Sequence, residues 1–403
     1  MLLLVVLTAF VGGMWGLERT AIPLIAREDF GTASVTVSLS FIAGFGLTKT
    51  FANLFAGGLM DRVGRRGVLV VGWTFGLPVP FMIIWAPQWE WIVAANLLLG
   101  INQGLCWTAT ILMMMDMMGS GLRGFSTGLN EFAGYSGVAA TTLVAGFIAS
   151  TFAARPHPFF LGIVLAFLGL ALSFFLIRET RNYPLEEAAE SYRELRPPTF
   201  WHTFVVSLRD RTLLGCNQAG LVTKINDATI WGLMPLFLDS QGLDVAKIGI
   251  VAAVFIQVWG VTQLGTGLLS DRVGRKPLIS MGMVIQALGV SLLALGNNFP
   301  FWIGGAAVMG VGTAAVYPTL IAAVGDHTHP LRRASTIGLY RWYRDGGFVV
   351  GALLAGLLAD TLGFRPAFLF IGGISLFSAF LVRVLMAEPS RRIDAVKGFQ
   401  GPF

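Results

Sequence analysis

Apolar residues run along the chain in stretches of about twenty, each long enough to cross about 30 Å of hydrocarbon as a helix, and polar residues gather in the short gaps between them. Twelve such stretches are predicted: 1 to 26, 35 to 59, 67 to 86, 90 to 114, 122 to 152, 158 to 178, 212 to 239, 247 to 269, 277 to 296, 300 to 324, 333 to 361 and 365 to 387. They are called spans 1 to 12 below. Helices rather than a barrel are expected, because Gly recurs inside the runs at small-xxx-small spacings such as Gly72/Gly76 and Gly100/Gly104, which suit close helix packing in lipid. The N-terminus, Met1-Leu-Leu-Leu-Val-Val, has no basic n-region and no small-residue cleavage site, so it reads as span 1 rather than a signal peptide.

Composition agrees with a bilayer as solvent. Of the 403 residues, 55% are hydrophobic and 12% charged, and the mean hydropathy is +0.72; a soluble domain carries roughly 25% charged residues. The net charge of +6 does not indicate nucleic acid, because the basic residues sit in loops on one side. Those loops hold Arg62, Arg65 and Arg66; Arg123, Arg178 and Arg181; Arg272, Arg275 and Lys276; Arg332 and Arg333; and Arg391 and Arg392. With an even number of spans, this bias places both termini in the cytoplasm, with the plasma membrane as the expected location. The polar stretch 179–211, with Leu185-Glu-Glu-Ala-Ala-Glu and Pro197-Pro198, reads as a cytoplasmic linker with a short surface helix. It divides an N-terminal bundle, 1–178, from a C-terminal bundle, 212–390, which is followed by a tail, 391–403.

The two bundles are copies. A shift of 210 residues superposes Asp61-Arg-Val-Gly-Arg65 on Asp271-Arg-Val-Gly-Arg275. The same shift pairs Gly57 with Gly267, Gly72 with Gly282, Gly100 with Gly310, Asp116 with Asp326, Arg123 with Arg333, Gly128-Leu129 with Gly338-Leu339, and Arg155-Pro156 with Arg365-Pro366. Because six spans is an even number, the halves share one orientation, and a solute site is expected between them.

The loop Gly57-Gly-Leu-Met-Asp61-Arg-Val-Gly64-Arg65-Arg66 and its repeat Gly267-Leu-Leu-Ser-Asp271-Arg-Val-Gly274-Arg275-Lys276 resemble the loop 2–3 and loop 8–9 motif of the major facilitator superfamily. Arg178-Glu179-Thr180-Arg181 and Glu388-Pro389 resemble that family's sequences just past spans 6 and 12. The resemblance implies an all-α polytopic membrane protein, two pseudo-symmetric six-helix bundles that rock in alternating access. It also implies a latch: Asp61 would meet the start of span 11 and Asp271 the start of span 5. Independently of family, a carboxylate beside a helix N-terminus is favoured by the dipole and the free N–H groups. The gating set is therefore Asp61, Arg62, Arg65, Arg66, Asp271, Arg272, Arg275 and Lys276, with Arg341, Arg344 and Asp345 of span 11. Two departures stand out. Asn96 takes the place, four residues before Gly100, where many proton-coupled members carry Arg, and Gly134-Tyr-Ser-Gly137 lacks the Gly-Pro pair that marks drug/proton antiporters.

Ionisable groups inside hydrocarbon cost at least about 2.5 kcal/mol and normally face a cavity or a partner, so they point to the site. Arg19 and Lys224, with Asn226, Tyr317 and Trp231, are the substrate-binding candidates; Asp227, Glu131 and Glu18 are the candidates for proton coupling. The alternative is that Lys224 with Asp227 and Glu18 with Arg19 neutralise each other and bind nothing. Glu131 and Arg341 occupy repeat-equivalent positions with opposite charge, which suggests partners across the halves or a gate pair.

No catalytic residues, resident metal or cofactor are expected, and the coupling ion is expected to be a proton. Met113-Met-Met-Asp-Met-Met118 invites a copper(I) reading, but consecutive Met residues point all round a helix. His327 and His329 read as solvated loop histidines, and Cys106 and Cys216, each within an apolar run, indicate neither a disulfide framework nor a thiolate metal site. The expectation is a monomeric, non-enzymatic secondary transporter for a small polar or anionic organic solute. A multidrug efflux antiporter is the alternative, followed by a metal-ion transporter or a non-transporting sensor of the same fold.

Overall fold

A computed structural model describes residues 1–118, 123–180, 200–328 and 333–387. Outside it lie Arg181, the 185–190 and 197–198 segments of the linker, His329, Arg332, Glu388, Pro389 and the 391–403 tail, as do the side chains of Asp61, Arg123 and Arg333.

All the predicted spans are helices. Span 1 is Leu2–Glu28. Spans 2 and 3 lie in Ser40–Gly76, which breaks at Gly64 and continues as Pro78–Ile84. Spans 4, 5 and 6 are Trp89–Met118, Arg123–Thr151 and His157–Phe175. Spans 8 to 12 are Val245–Val273, Arg275–Leu295, Phe299–His327, Arg333–Leu362 and Phe364–Leu385. Span 7 runs as Arg211–Ala228, a π-helical turn Thr229–Leu233, and Met234–Ser240. Pro235 explains the turn: it has no N–H for the Trp231 carbonyl four residues back, and its ring would clash there. A further helix, Phe200–Arg209, precedes span 7. Among the described residues, ten helices are long and apolar enough to cross a membrane. The remaining two spans, 2 and 7, carry charge in their middles: Lys49 in one, Lys224 and Asp227 in the other.

The repeat is visible in the geometry. Gly64 and Gly274, equivalent under the shift, both turn with positive φ, 81° and 102°, a region that residues with a Cβ rarely adopt. The equivalent pairs Arg65–Asp116 and Arg275–Asp326 form Nε–Oδ2 bridges of 3.1 and 3.0 Å. Asp271 bonds within its own loop, to Arg275 at 2.6 Å. Glu179 accepts the backbone N–H groups of Arg65 and Arg66 where span 3 begins, and Thr180 donates to Asp116 at 2.8 Å. Those two linker residues are thereby tied to the N-terminal bundle.

The halves close on the arginine-poor side. Asp360, near the end of span 11, accepts from the Ser34 hydroxyl, the Val35 N–H and both the N–H and hydroxyl of Thr36, at 2.6 to 3.0 Å. It thus caps a short helix, Val35–Ser38, that belongs to the other half. Nearby, the Cβ of an alanine at Gly146 of span 5 would lie 3.1 Å from the Gly249 Cα of span 8. Toward the arginine-rich side, such a Cβ on Gly57, Gly58 or Gly338 would meet nothing within 4 Å. Breaking the Asp360 cap removes all four of these hydrogen bonds between the halves. Asp360→Ala is therefore expected to open this side. A cysteine at Thr20, which is buried below the seal, should react with maleimide in detergent at least about tenfold faster in that background; an unchanged rate would mean that the cap does not hold the seal.

Candidate functional site

The predicted intramembrane charges converge where the two halves meet. Asp227 is shared by two cations: its Oδ1 takes Arg19 from span 1 at 2.8 Å and its Oδ2 takes Lys224, one turn back on span 7, at 2.8 Å. All three are buried. The expected Lys224–Asp227 pair is therefore present, but Arg19 joins that carboxylate from the other half instead of pairing with Glu18. The Arg19 guanidinium also lies 4.2 Å from the Trp15 ring centroid, where the ring's quadrupole attracts a cation.

A second group lies beside it on span 11. Arg344 grips Asp345 through Nε and a terminal nitrogen, at 2.7 and 2.9 Å, and donates to the Tyr317 hydroxyl at 2.8 Å. Asp345 also accepts from Asn53 of span 2 at 2.6 Å. Arg344 and Asp345, expected at the gate, instead belong to this central layer. The reason is depth, since they lie three to four turns into span 11.

Between the two groups is a cavity of about 20 Å³, room for roughly one water, lined by Lys49, Glu131, Lys224, Arg341 and Arg344 among aromatic residues that include Trp15, Trp107, Tyr135 and Tyr317. Glu131 accepts from the Trp107 indole at 2.9 Å and leaves its other oxygen without a donor. Glu131 and Arg341 line this one cavity, but no ion pair joins them among the described residues. Trp107 and Tyr317, equivalent under the 210-residue shift, both line it.

Three further candidates do not line the cavity. Asn226 is committed to packing within the C-terminal half, where it donates to Gln286 and Ser375 at 2.8 and 2.9 Å. Trp231 packs against Phe41 and Phe45 at 5.3 and 4.9 Å and lies 5.4 Å from the Arg19 guanidinium, behind Trp15 rather than on the cavity wall. Glu18 is buried against Asn96, whose amide also donates to the Ile92 carbonyl at 3.1 Å, and no ion pair joins Glu18 to a cation among the described residues. In the methionine run, Met113 and Met114 are core residues while Met117 is exposed, so the thioethers do not converge.

Lys49 escaped the sequence reading. It is an ammonium in the middle of span 2, and the rule that singled out Lys224 applies to it equally. Thr48 and Thr50 on either side soften the local polarity contrast. In total the layer holds five cations, Arg19, Lys49, Lys224, Arg341 and Arg344, against three carboxylates, Glu131, Asp227 and Asp345.

A family model described as the Major Facilitator Superfamily matches residues 4–216 and 218–402. Curated relatives named "Multidrug resistance protein MdtG", from Salmonella typhimurium and Salmonella arizonae, are 24% identical over 387 residues, covering 91% of this chain and 90% of theirs. The fold is similar to that of the nucleoside transporter NupG, as a D323A mutant, with TM-score 0.80, 15% identity and coverage of 96% of this chain and 99% of that one. It is also similar to the xylose transporter XylE of E. coli in a partially occluded inward open conformation, with TM-score 0.74, 14% identity and coverage of 96% and 98%. With two six-helix halves around a charged central layer, the chain belongs to the major facilitator superfamily and is a membrane transporter of that family.

Proposed function

We propose that the chain moves a small organic anion across the plasma membrane by alternating access, coupled to protons, with both termini in the cytoplasm. The observation that carries this reading is that five basic side chains face three acidic ones in the layer between the halves. An uncompensated cation in a low-dielectric site is costly, and an entering anion removes that cost. The aromatic walls favour a flat solute such as an aromatic carboxylate.

Coupling is assigned to Glu18. Asp227 holds two cations, whereas Glu18 holds none, because Asn96 stands where many proton-coupled members have Arg. With no cation to neutralise it, the carboxyl needs a proton instead. Glu18→Gln is accordingly expected to retain solute exchange but lose acceleration by a pH gradient. Acceleration equal to wild type in that variant would remove Glu18 from the mechanism.

The relatives' name supports a second reading, multidrug efflux. Purified protein in proteoliposomes separates the two: benzoate, 4-hydroxybenzoate and phenyl phosphate against the cationic dye ethidium, with and without a pH gradient. Saturable anion flux supports the proposal, and ethidium flux without anion flux replaces it with drug efflux.

A further inference from the structure

The five cations of the central layer are not equivalent. Arg19 and Lys224 are bonded to Asp227, and Arg344 to Asp345 and Tyr317. Lys49 has no carboxylate within ion-pair distance among the described residues, although it is only 7% exposed. Its neighbours are ring faces: the Nζ lies 4.6 Å from the Trp15 centroid, 5.1 Å from Phe45 and 5.6 Å from Phe348. Cation–π contacts attract an ammonium but accept none of its hydrogen bonds, so its three donors remain available to the cavity it lines.

The repeat makes the point sharper. The position equivalent to Lys49 in the C-terminal half is Trp259, a fully buried ring packed on Tyr135 with centroids 3.9 Å apart and planes tilted by 37°. Packing at this place is satisfied by an aromatic side chain, so it is not packing that calls for a cation. Lys49 is also one turn from Asn53, whose amide crosses to Asp345 in the other half. A ligand on Lys49 would therefore sit against one of the bonds that join the halves.

We propose that Lys49 is the residue that selects an anionic solute, donating to its carboxylate or phosphate group while the Trp15 and Trp107 rings flank its planar part. The inference rests on the anion-transport reading and adds to it the contact that makes the distinction between charged and neutral solutes. Arg341, a cavity cation with no carboxylate within ion-pair distance among the described residues, lies on span 11, so an anion held by Lys49 of span 2 can be reached from both halves.

The test is binding and flux of benzoate, 4-hydroxybenzoate and phenyl phosphate, with benzamide as the neutral control, on wild type, Lys49→Gln and Lys49→Arg. A charge-assisted hydrogen bond corresponds to about tenfold or more in affinity. Lys49→Gln should weaken anions by at least that factor and narrow the preference for benzoate over benzamide, with Lys49→Arg retaining most of both. Melting temperature supplies a readout that a structural role would move the other way: removing an unpaired buried cation should leave Lys49→Gln at least as stable as wild type. Wild-type anion flux with unchanged selectivity in Lys49→Gln would overturn the Lys49 assignment alone, as would a lowered melting temperature with selectivity intact. Absence of anion flux in wild type would overturn the transport reading and this inference with it.

Discussion

Asp227→Asn is expected to cost about 3–5 kcal/mol of stability, because it strips the shared carboxylate from two buried cations at once. Neutralising it leaves five basic side chains against two acidic ones in the layer, and leaves Arg19, which is 1% exposed, with the Trp15 face as its main compensation. The folded fraction in detergent, followed by size-exclusion chromatography and thermal melting, should fall sharply, and transport with it. Adding Lys224→Met to the same chain removes one stranded charge and should recover a large part of the loss, since coupled neighbours are not additive. Wild-type melting in Asp227→Asn would mean that water reaches the pair and that the layer is not sealed as described.

Arg344→Ala is expected to have an effect of similar size for the mirrored reason. It removes a bidentate grip at 2.7 and 2.9 Å and leaves Asp345 with Asn53 as its direct donor. A buried carboxylate with one neutral partner again costs about 3–5 kcal/mol. It also releases the Tyr317 hydroxyl. The double variant Arg344→Ala/Asp345→Ala deletes both charges and should melt well above the single one, while still failing to transport because the link from Asp345 to Asn53 is gone. A double variant no more stable than Arg344→Ala would show that Arg344 acts through packing of its stem rather than through its charge.

Much of this architecture was legible because a bilayer makes sequence speak plainly. Twenty apolar residues in a row have few uses other than crossing lipid, and the doubled Asp-Arg-Val-Gly-Arg loop fixed the internal copy to the residue. The equivalent Arg65–Asp116 and Arg275–Asp326 bridges follow from that register. Membership of the charged layer was legible for the same reason for Arg19, Lys224, Asp227, Glu131 and Tyr317. Partner choice was not. Nothing in the order of residues says that Arg19 reaches 208 positions along the chain to Asp227 rather than turning to Glu18 beside it, because that depends on how the two halves face each other. Asn226 shows the same limit, since adjacent helix positions point about 100° apart and its amide turns to Gln286 while Asp227 turns to the interface. The loop motif draws span 11 toward the gate, but Arg344 and Asp345 lie three to four turns into that helix, and this depth puts them in the charged layer.

Whether the layer between the halves admits an anion is tested most directly by counterflow. Proteoliposomes holding the purified full chain are preloaded with unlabelled benzoate and diluted into a trace of labelled benzoate, with no pH gradient imposed. The expected result is transient accumulation of label above its outside concentration, suppressed by external 4-hydroxybenzoate and unaffected by ethidium. Label that enters no faster than in protein-free vesicles, with or without preloading, would contradict it.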